Sequence, residues 1–129
     1  MSSRPTSRKA ARRQALFLLY QWDLTGQELA SLFEGEPDDF ARTLAEAVAS
    51  RAGGLDVRIS AASPDWPADR LGTLERNILR IGVFELVEET VPREVAINEA
   101  VVLAKRYATE DAARLVNGIL GRVAREEAA

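Results

Sequence analysis

Apolar residues recur throughout this sequence at spacings of three and four residues, the period of an α-helix that buries one face. The first such run is formed by Ala11, Ala15, Leu18, Leu19 and Trp22. No segment shows the alternation of apolar and polar residues that marks a half-buried β-strand. The pattern therefore predicts an all-α fold, a single-domain bundle of six or seven helices.

The helix boundaries follow from capping residues, glycine and proline. Thr6 or Ser7 can cap the first helix, and Gly26 can end it. Gly53 and Gly54 are expected to end the second helix, and Gly118, inside the last, is expected to mark a close contact between helices. The predicted helices cover residues 8–25, 39–52, 55–62, 71–89, 93–108 and 109 onward.

The composition excludes several classes of function. The chain has 129 residues with no His and no Cys, so disulfide frameworks, His/Cys zinc sites and Ser-His-Asp triads are excluded. No apolar run reaches the ~20 residues that span a bilayer, and no signal-peptide pattern is present. We expect a soluble cytoplasmic protein with one domain.

The charge is unevenly distributed. The formal net charge is −3, yet residues 1–13 hold no acidic residue. The remaining 116 residues carry 12 basic and 20 acidic residues. A basic arm, residues 1–7, followed by a basic helix start can hold an anionic partner while the rest stays acidic. The alternative is that this basic segment is a tail whose charge only keeps the chain soluble. The five basic residues of this segment are Arg4, Arg8, Lys9, Arg12 and Arg13.

Catalytic motifs are missing from the sequence. It contains no GxxxxGK[ST] phosphate loop and no GxGxxG. Acidic pairs such as Asp38-Asp39 and Glu110-Asp111 are adjacent in the chain, and neighbours on a helix do not face each other. These pairs are better explained as caps and solvated faces. We expect no catalytic residue and no metal site, and binding is the more plausible role.

Four stretches carry a resemblance to a known family. They are RRQALFLLYQWD at residues 12–23, ERNILRIGVFEL at 75–86, VPREVAINEAVVLAKRY at 91–107 and LVNGIL at 115–120. In order and spacing they resemble the NusB family of transcription antitermination factors. The resemblance covers essentially the whole chain and is least characteristic in residues 25–67.

The resemblance implies a helical RNA-binding domain at residues 8–129 and a role in transcription regulation. Members bind the boxA element of nascent RNA, notably in ribosomal RNA transcription. They do so with NusE, the tenth small-subunit ribosomal protein, and join other Nus factors on RNA polymerase. Neither enzyme activity nor a cofactor is implied.

Among the residues that match the family's RNA-binding positions, cations can contact phosphates, and flat or polar side chains can contact unstacked bases. Leu115 departs from the family because some members have Phe there, which puts base stacking at this position in doubt. Lys105 or its neighbour Arg106 can contact a phosphate or simply cover the helix surface. The implied RNA-binding residues are Arg8, Lys9, Arg12, Arg13, Tyr20, Lys105, Asp111 and Leu115.

Two residues are implied for the NusE surface, Glu75 and Phe84. An acidic residue suits a basic ribosomal protein, whereas Phe84 can equally belong to the core. The signature residues Asn98, Glu99 and Asn117 are interpreted mainly as architecture, because Asn side chains often close nearby helix ends.

Two other functions stay open. One is a protein-interaction bundle, including a homodimer that buries the basic helix. The other is an RNA-binding domain related to those fused to RNA methyltransferases, which requires this sequence to be a fragment. Light scattering with and without RNA distinguishes the dimer from the RNA-binding monomer.

Overall fold

The computed structural model describes residues 7–33 and 35–128, and this part of the chain folds into helices without a strand. Two short 3-10 helices, Leu29–Leu32 and Ala68–Arg70, lie in the connections. The predicted all-α bundle is confirmed. Its six α-helices are α1 (Arg8–Thr25), α2 (Asp39–Ser50), α3 (Ala52–Ala62), α4 (Thr73–Glu88), α5 (Arg93–Tyr107) and α6 (Glu110–Ala128).

Local capping sets most helix ends. The side chain of Ser7 accepts a hydrogen bond from the backbone N–H of Ala10 at 3.1 Å, so Ser7 begins α1. Residues 1–6 of the predicted arm, with Arg4, lie outside the described residues. Gly26 ends α1 in the left-handed conformation, at φ 73°, where glycine avoids the Cβ penalty.

One predicted boundary is wrong. Gly53 and Gly54 do not end α2 but lie inside α3. The break falls at Arg51, whose φ of −112° and ψ of 10° depart from helical geometry. Because the chain resumes a helix directly after Arg51, the glycines occupy its exposed first turn.

Helix α4 is the centre of the bundle and packs against all five other α-helices. A Cβ atom added at Gly82 would lie 2.6 Å from Cδ1 of the buried Leu120, so any larger residue would require the Leu120 side chain to shift within the core. The expectation for Gly118 is wrong, because a Cβ there would meet no atom within 4 Å. The close helix contact is made at Gly82 instead.

Side-chain contacts define the helix directions. Arg12 pairs with Glu85, and Asp23 pairs with Arg76, so α1 and α4 run antiparallel. Lys9 lies by Glu99 and Phe17 by Tyr107, so α1 and α5 run in the same direction. The end of α5 lies near the start of α6, which follows it after two residues.

A charged cluster fastens the end of α1 to α3 and α4. The Asp23 carboxylate accepts hydrogen bonds from Arg76, Asn77 and Arg80, each at 3.0 Å, and Arg80 also donates to Asp56 at 2.6 and 2.7 Å.

Burial acts to raise the pKa of Asp23, but the hydrogen bonds from Arg76 and Asn77 and the positive charges outweigh it and lower the pKa below 3.8. Desolvation acts to lower the pKa of Arg80, yet Asp56 and Asp23 raise it above its ordinary value. Both groups are therefore charged at neutral pH.

No helix in the described ranges is long and apolar enough to cross a membrane.

Candidate nucleic-acid interface

Helix α1 carries a stripe of cationic and aromatic side chains along its outer face. Lys9, Arg13 and Tyr20 follow one another at spacings of four and seven residues, which places them on the same side of a helix. From Lys9 to Tyr20 the stripe is about 16 Å long, at 1.5 Å per residue. Lys9 is exposed, while Arg13 and Tyr20 are half-buried. The structure thus brings together three of the predicted RNA-binding residues.

Arg12 does not belong to this stripe. Its residue exposure is 2%, and its guanidinium donates to the Glu85 carboxylate at 2.7 and 3.0 Å. Helical geometry turns Arg12 by about 100° from Arg13, so it faces α4 instead of solvent. This corrects its predicted role, because a guanidinium enclosed by the core cannot reach a phosphate here.

Arg8 is also turned away from the stripe. Its guanidinium lies 4.3 Å from the ring centroid of Phe40 on α2, in the range of a cation–π contact. The residue remains exposed, so it can still attract an anion, but from the α2 side of α1.

Glu99 on α5 reaches the cationic stripe. Its carboxylate lies 3.5 Å from Nζ of Lys9 and 4.0 Å from Nη1 of Arg12. The interpretation of Glu99 as architecture fits this position between two helices. The same carboxylate also offsets part of the positive charge that Lys9 presents to solvent.

The last turn of α5 adds two cations beside α1. Lys105 and Arg106 are both exposed, and the Arg106 guanidinium lies 5.3 Å from the ring centroid of Tyr107. Tyr107 contacts the ring of Phe17 edge-to-face, with centroids 5.0 Å apart. Phe17 was not among the predicted site residues, although its position between Arg13 and Tyr20 on α1 placed it on the same face.

The start of α6 places Asp111 and Leu115 at the same end of the bundle. Asp111 is exposed and pairs with Arg114. Leu115 is half-buried at the wall of an open cavity of about 550 Å³ that Trp66 also lines. The exposed Trp66 indole is an aromatic group that the sequence analysis did not assign to a site.

The two residues implied for the NusE surface do not lie together. Glu75 lines the cavity shared with Asp111 and Leu115. Phe84 follows nine residues later on α4, which turns it to the opposite face of that helix. It is 9% exposed and packs under Arg51, at 5.5 Å from the ring centroid. The structure therefore supports the core interpretation of Phe84.

Comparison with known proteins identifies the family. The model of the NusB family matches residues 9–125. The chain belongs to the NusB family. It is 39% identical to transcription antitermination protein NusB of Rubrobacter xylanophilus over 88% of this chain and 87% of that protein. The NusB of Anaeromyxobacter dehalogenans is 40% identical over 92% of both chains.

A solved structure supports the same assignment. A crystal structure of the antitermination factors NusB and NusE in complex with double-stranded RNA has a TM-score of 0.81 to this chain at 31% identity. The match covers 92% of this chain and 96% of that one. In this NusB-family chain, the fold expected from the sequence is thereby confirmed.

Proposed function

We propose that this chain is a transcription antitermination factor that binds boxA-type single-stranded RNA together with NusE. In this role it joins other Nus factors on RNA polymerase, notably during ribosomal RNA transcription. The observation that carries the proposal is the stripe of Lys9, Arg13 and Tyr20 on a chain of the NusB family. The proposal assigns binding alone and no catalytic step.

On the RNA side, the exposed cations contact phosphates, and the neighbouring aromatic, acidic and apolar side chains contact bases. Lys9 and Arg13 lie one turn apart on α1, and Lys105 adds an exposed cation in the last turn of α5. Tyr20 offers a ring on which a base can stack. Asp111, on α6, can accept hydrogen bonds from the amino groups of bases. Leu115 offers apolar contact without a ring.

On the protein side, the proposal gives the NusE contact to Glu75. Glu75 is half-buried at the start of α4 and lines an open cavity, where a carboxylate can pair with a basic partner. Phe84 is nearly buried and is not included. A relative has been crystallised as a NusB–NusE complex with RNA, which supports the choice of partner.

A fluorescence-anisotropy titration tests the proposal. A boxA-type RNA and a scrambled RNA are titrated with the wild-type chain, each with and without NusE. We expect tighter binding to the boxA RNA and a further gain with NusE. Equal weak binding to both RNAs, unchanged by NusE, contradicts the proposal and favours a protein-interaction bundle.

The stripe is tested by the double variant Lys9→Ala/Arg13→Ala. Each phosphate contact to a single strand contributes about 0.7 to the slope of log affinity against log salt. Affinity falls as salt rises, and we expect this dependence to be shallower by about 1.4 in the double variant, which has lost two phosphate contacts. Arg122→Ala is the matched control, since it removes an exposed α6 cation that pairs with Glu126 and should leave the slope unchanged.

A further inference from the structure

A small cleft lies beside Phe17 on α1, and Tyr107 is not among the residues that line it. Its volume is about 260 Å³, and it is lined by residues of α1 together with Leu32, Phe33 and Pro37. Phe17 forms one wall with 40% of its surface exposed. The cleft is therefore an open, partly aromatic slot beside the cationic stripe.

Two amide side chains border this slot. Gln14 and Gln21 lie three residues before and four residues after Phe17, are exposed, and line the same cleft. Such spacings place all three on one face of α1. An amide both donates and accepts hydrogen bonds, so this pair can read the edge of a flat heterocycle held against the Phe17 ring.

The Phe17 ring is also held in place. Tyr107 contacts it edge-to-face, with an interplanar angle of 78°, and this arrangement is favourable for aromatic pairs. Arg106 covers Tyr107 in turn. A braced ring loses little conformational freedom when a ligand stacks on it.

The charges around the cleft indicate how a nucleotide would lie. Arg13 is one turn before Phe17 on the same face, and it makes no ion pair with another residue of the described ranges. Glu36 adjoins Pro37, and Asp38 caps α2 beyond it. A phosphate is therefore favoured on the Arg13 side and disfavoured on the α2 side, which leaves the slot for an uncharged base.

We propose that Phe17, Gln14 and Gln21 form a base-binding subsite that takes one unstacked base of a single-stranded RNA. The inference rests on the proposed function and deepens it, because it adds to the α1 stripe a subsite that the sequence analysis did not assign. Single-strand recognition requires this combination of cations, a stacking surface and hydrogen-bonding groups.

The test uses boxA-type RNAs in which single adenines are replaced by 2-aminopurine, whose fluorescence is quenched on stacking. We expect one position to be quenched by the wild-type chain and not by Phe17→Leu. Because stacking of a base on an aromatic side chain is worth ~1–3 kcal/mol, Phe17→Leu should bind RNA about 5-fold to 150-fold more weakly. Phe17→Tyr keeps the ring and should stay within about twofold of wild type.

Further variants separate the subsite from general damage. Gln21→Leu should keep the quenching but lose preference for the base at the quenched position, a readout that a structural role would not move. Val57→Ala removes an exposed apolar group from α3 and should change neither signal. Circular dichroism at the temperature of the titration shows that each variant is folded.

Two results overturn this inference while leaving the proposed function intact. In the first, the wild type prefers boxA RNA, yet Phe17→Leu binds it equally well and quenches equally. In the second, Phe17→Leu weakens binding of NusE without RNA and leaves RNA binding unchanged, which makes the cleft a protein contact. A wild-type chain that does not distinguish boxA from scrambled RNA instead contradicts the proposed function itself.

Discussion

The substitution Arg12→Ala removes the guanidinium that balances the buried carboxylate of Glu85. The two side chains are 3% and 1% exposed and meet at 2.7 Å. They connect α1 to α4 across 73 positions of the chain. The alanine variant leaves the Glu85 carboxyl buried and without its main partner.

The expected cost is large compared with the stability of a domain of this size. Removing one member of a buried ion pair typically costs about 3–5 kcal/mol, whereas small domains have a free energy of unfolding of about 5–15 kcal/mol. Arg12→Ala should therefore lose a substantial part of the stability of this fold. Any fall in RNA binding would then come from unfolding and not from a lost phosphate contact.

Urea denaturation followed by circular dichroism measures this loss. Arg122→Ala serves as the control, because its partner Glu126 is exposed and such pairs contribute about 0–1 kcal/mol. The double variant Arg12→Met/Glu85→Leu should regain most of the lost stability, since paired apolar side chains often replace a buried ion pair without loss.

Two outcomes would refute this reasoning. One is an Arg12→Ala variant that unfolds within 1 kcal/mol of the wild type, as a surface pair would. The other is a variant of wild-type stability that has lost RNA binding, which would return Arg12 to the phosphate contacts.

Three further predictions concern other parts of the molecule. Gly82→Ala should lower the free energy of unfolding by about 1–3 kcal/mol in a urea titration, because overpacking forces a well-packed core apart and the new Cβ would lie 2.6 Å from a buried side chain. Asp23→Asn should lower the stability at pH 7. Since the folded pKa of Asp23 lies below 3.8, its contribution is complete above pH 3.8 and is lost as the pH falls through the folded value, so the difference from wild type should shrink in acid. Glu99→Gln should strengthen RNA binding by up to about fivefold in anisotropy, because the Lys9 side chain is 73% exposed, solvent limits such a pair to about 0.2–1 kcal/mol, and Lys9 is then free for phosphate.

Each of these predictions has its own control. Gly118→Ala introduces a Cβ into open space and should stabilise the helix by up to about 1 kcal/mol; equal destabilisation at both glycines would contradict the packing argument. A gap between Asp23→Asn and wild type that stays constant down to pH 2 would exclude Asp23 as the titrating group. Glu99→Gln should have no effect on RNA binding in a Lys9→Ala background, and Glu94→Gln, the same charge change in the first turn of α5, should have none in either background.

The helices themselves were predictable from local sequence. Ser7, Gly26 and the apolar period of three and four residues act within one or two turns, so the sequence contains all that they require. The prediction failed at Gly53 and Gly54 because two helices there follow one another with a break at one residue, Arg51. A pair of glycines usually marks the end of a helix. Rules based on local sequence do not show that a new helix begins directly after the break.

The candidate site was predictable only in part. Lys9, Arg13 and Tyr20 share a helix face, and their spacing alone shows it. Phe17 shares that spacing, but its exposure depends on how far Tyr107 and the segment around Phe33 cover α1. The nine-residue spacing alone puts Glu75 and Phe84 on opposite faces of α4, but the burial of Phe84 depends on the packing around it, where Arg51 covers the ring.

What the sequence determined by itself is the set of helices and the positive charge at the start of α1, because helical period, capping and charge are properties of neighbouring residues. What only the tertiary structure decided is which cations remain available to a ligand. Arg12 and Arg13 are adjacent in the chain and chemically identical, yet one is buried against Glu85 and the other lies on the outer face. The difference arises because the compensating carboxylates come from α4 and α5, and packing alone brings those helices to one side of α1.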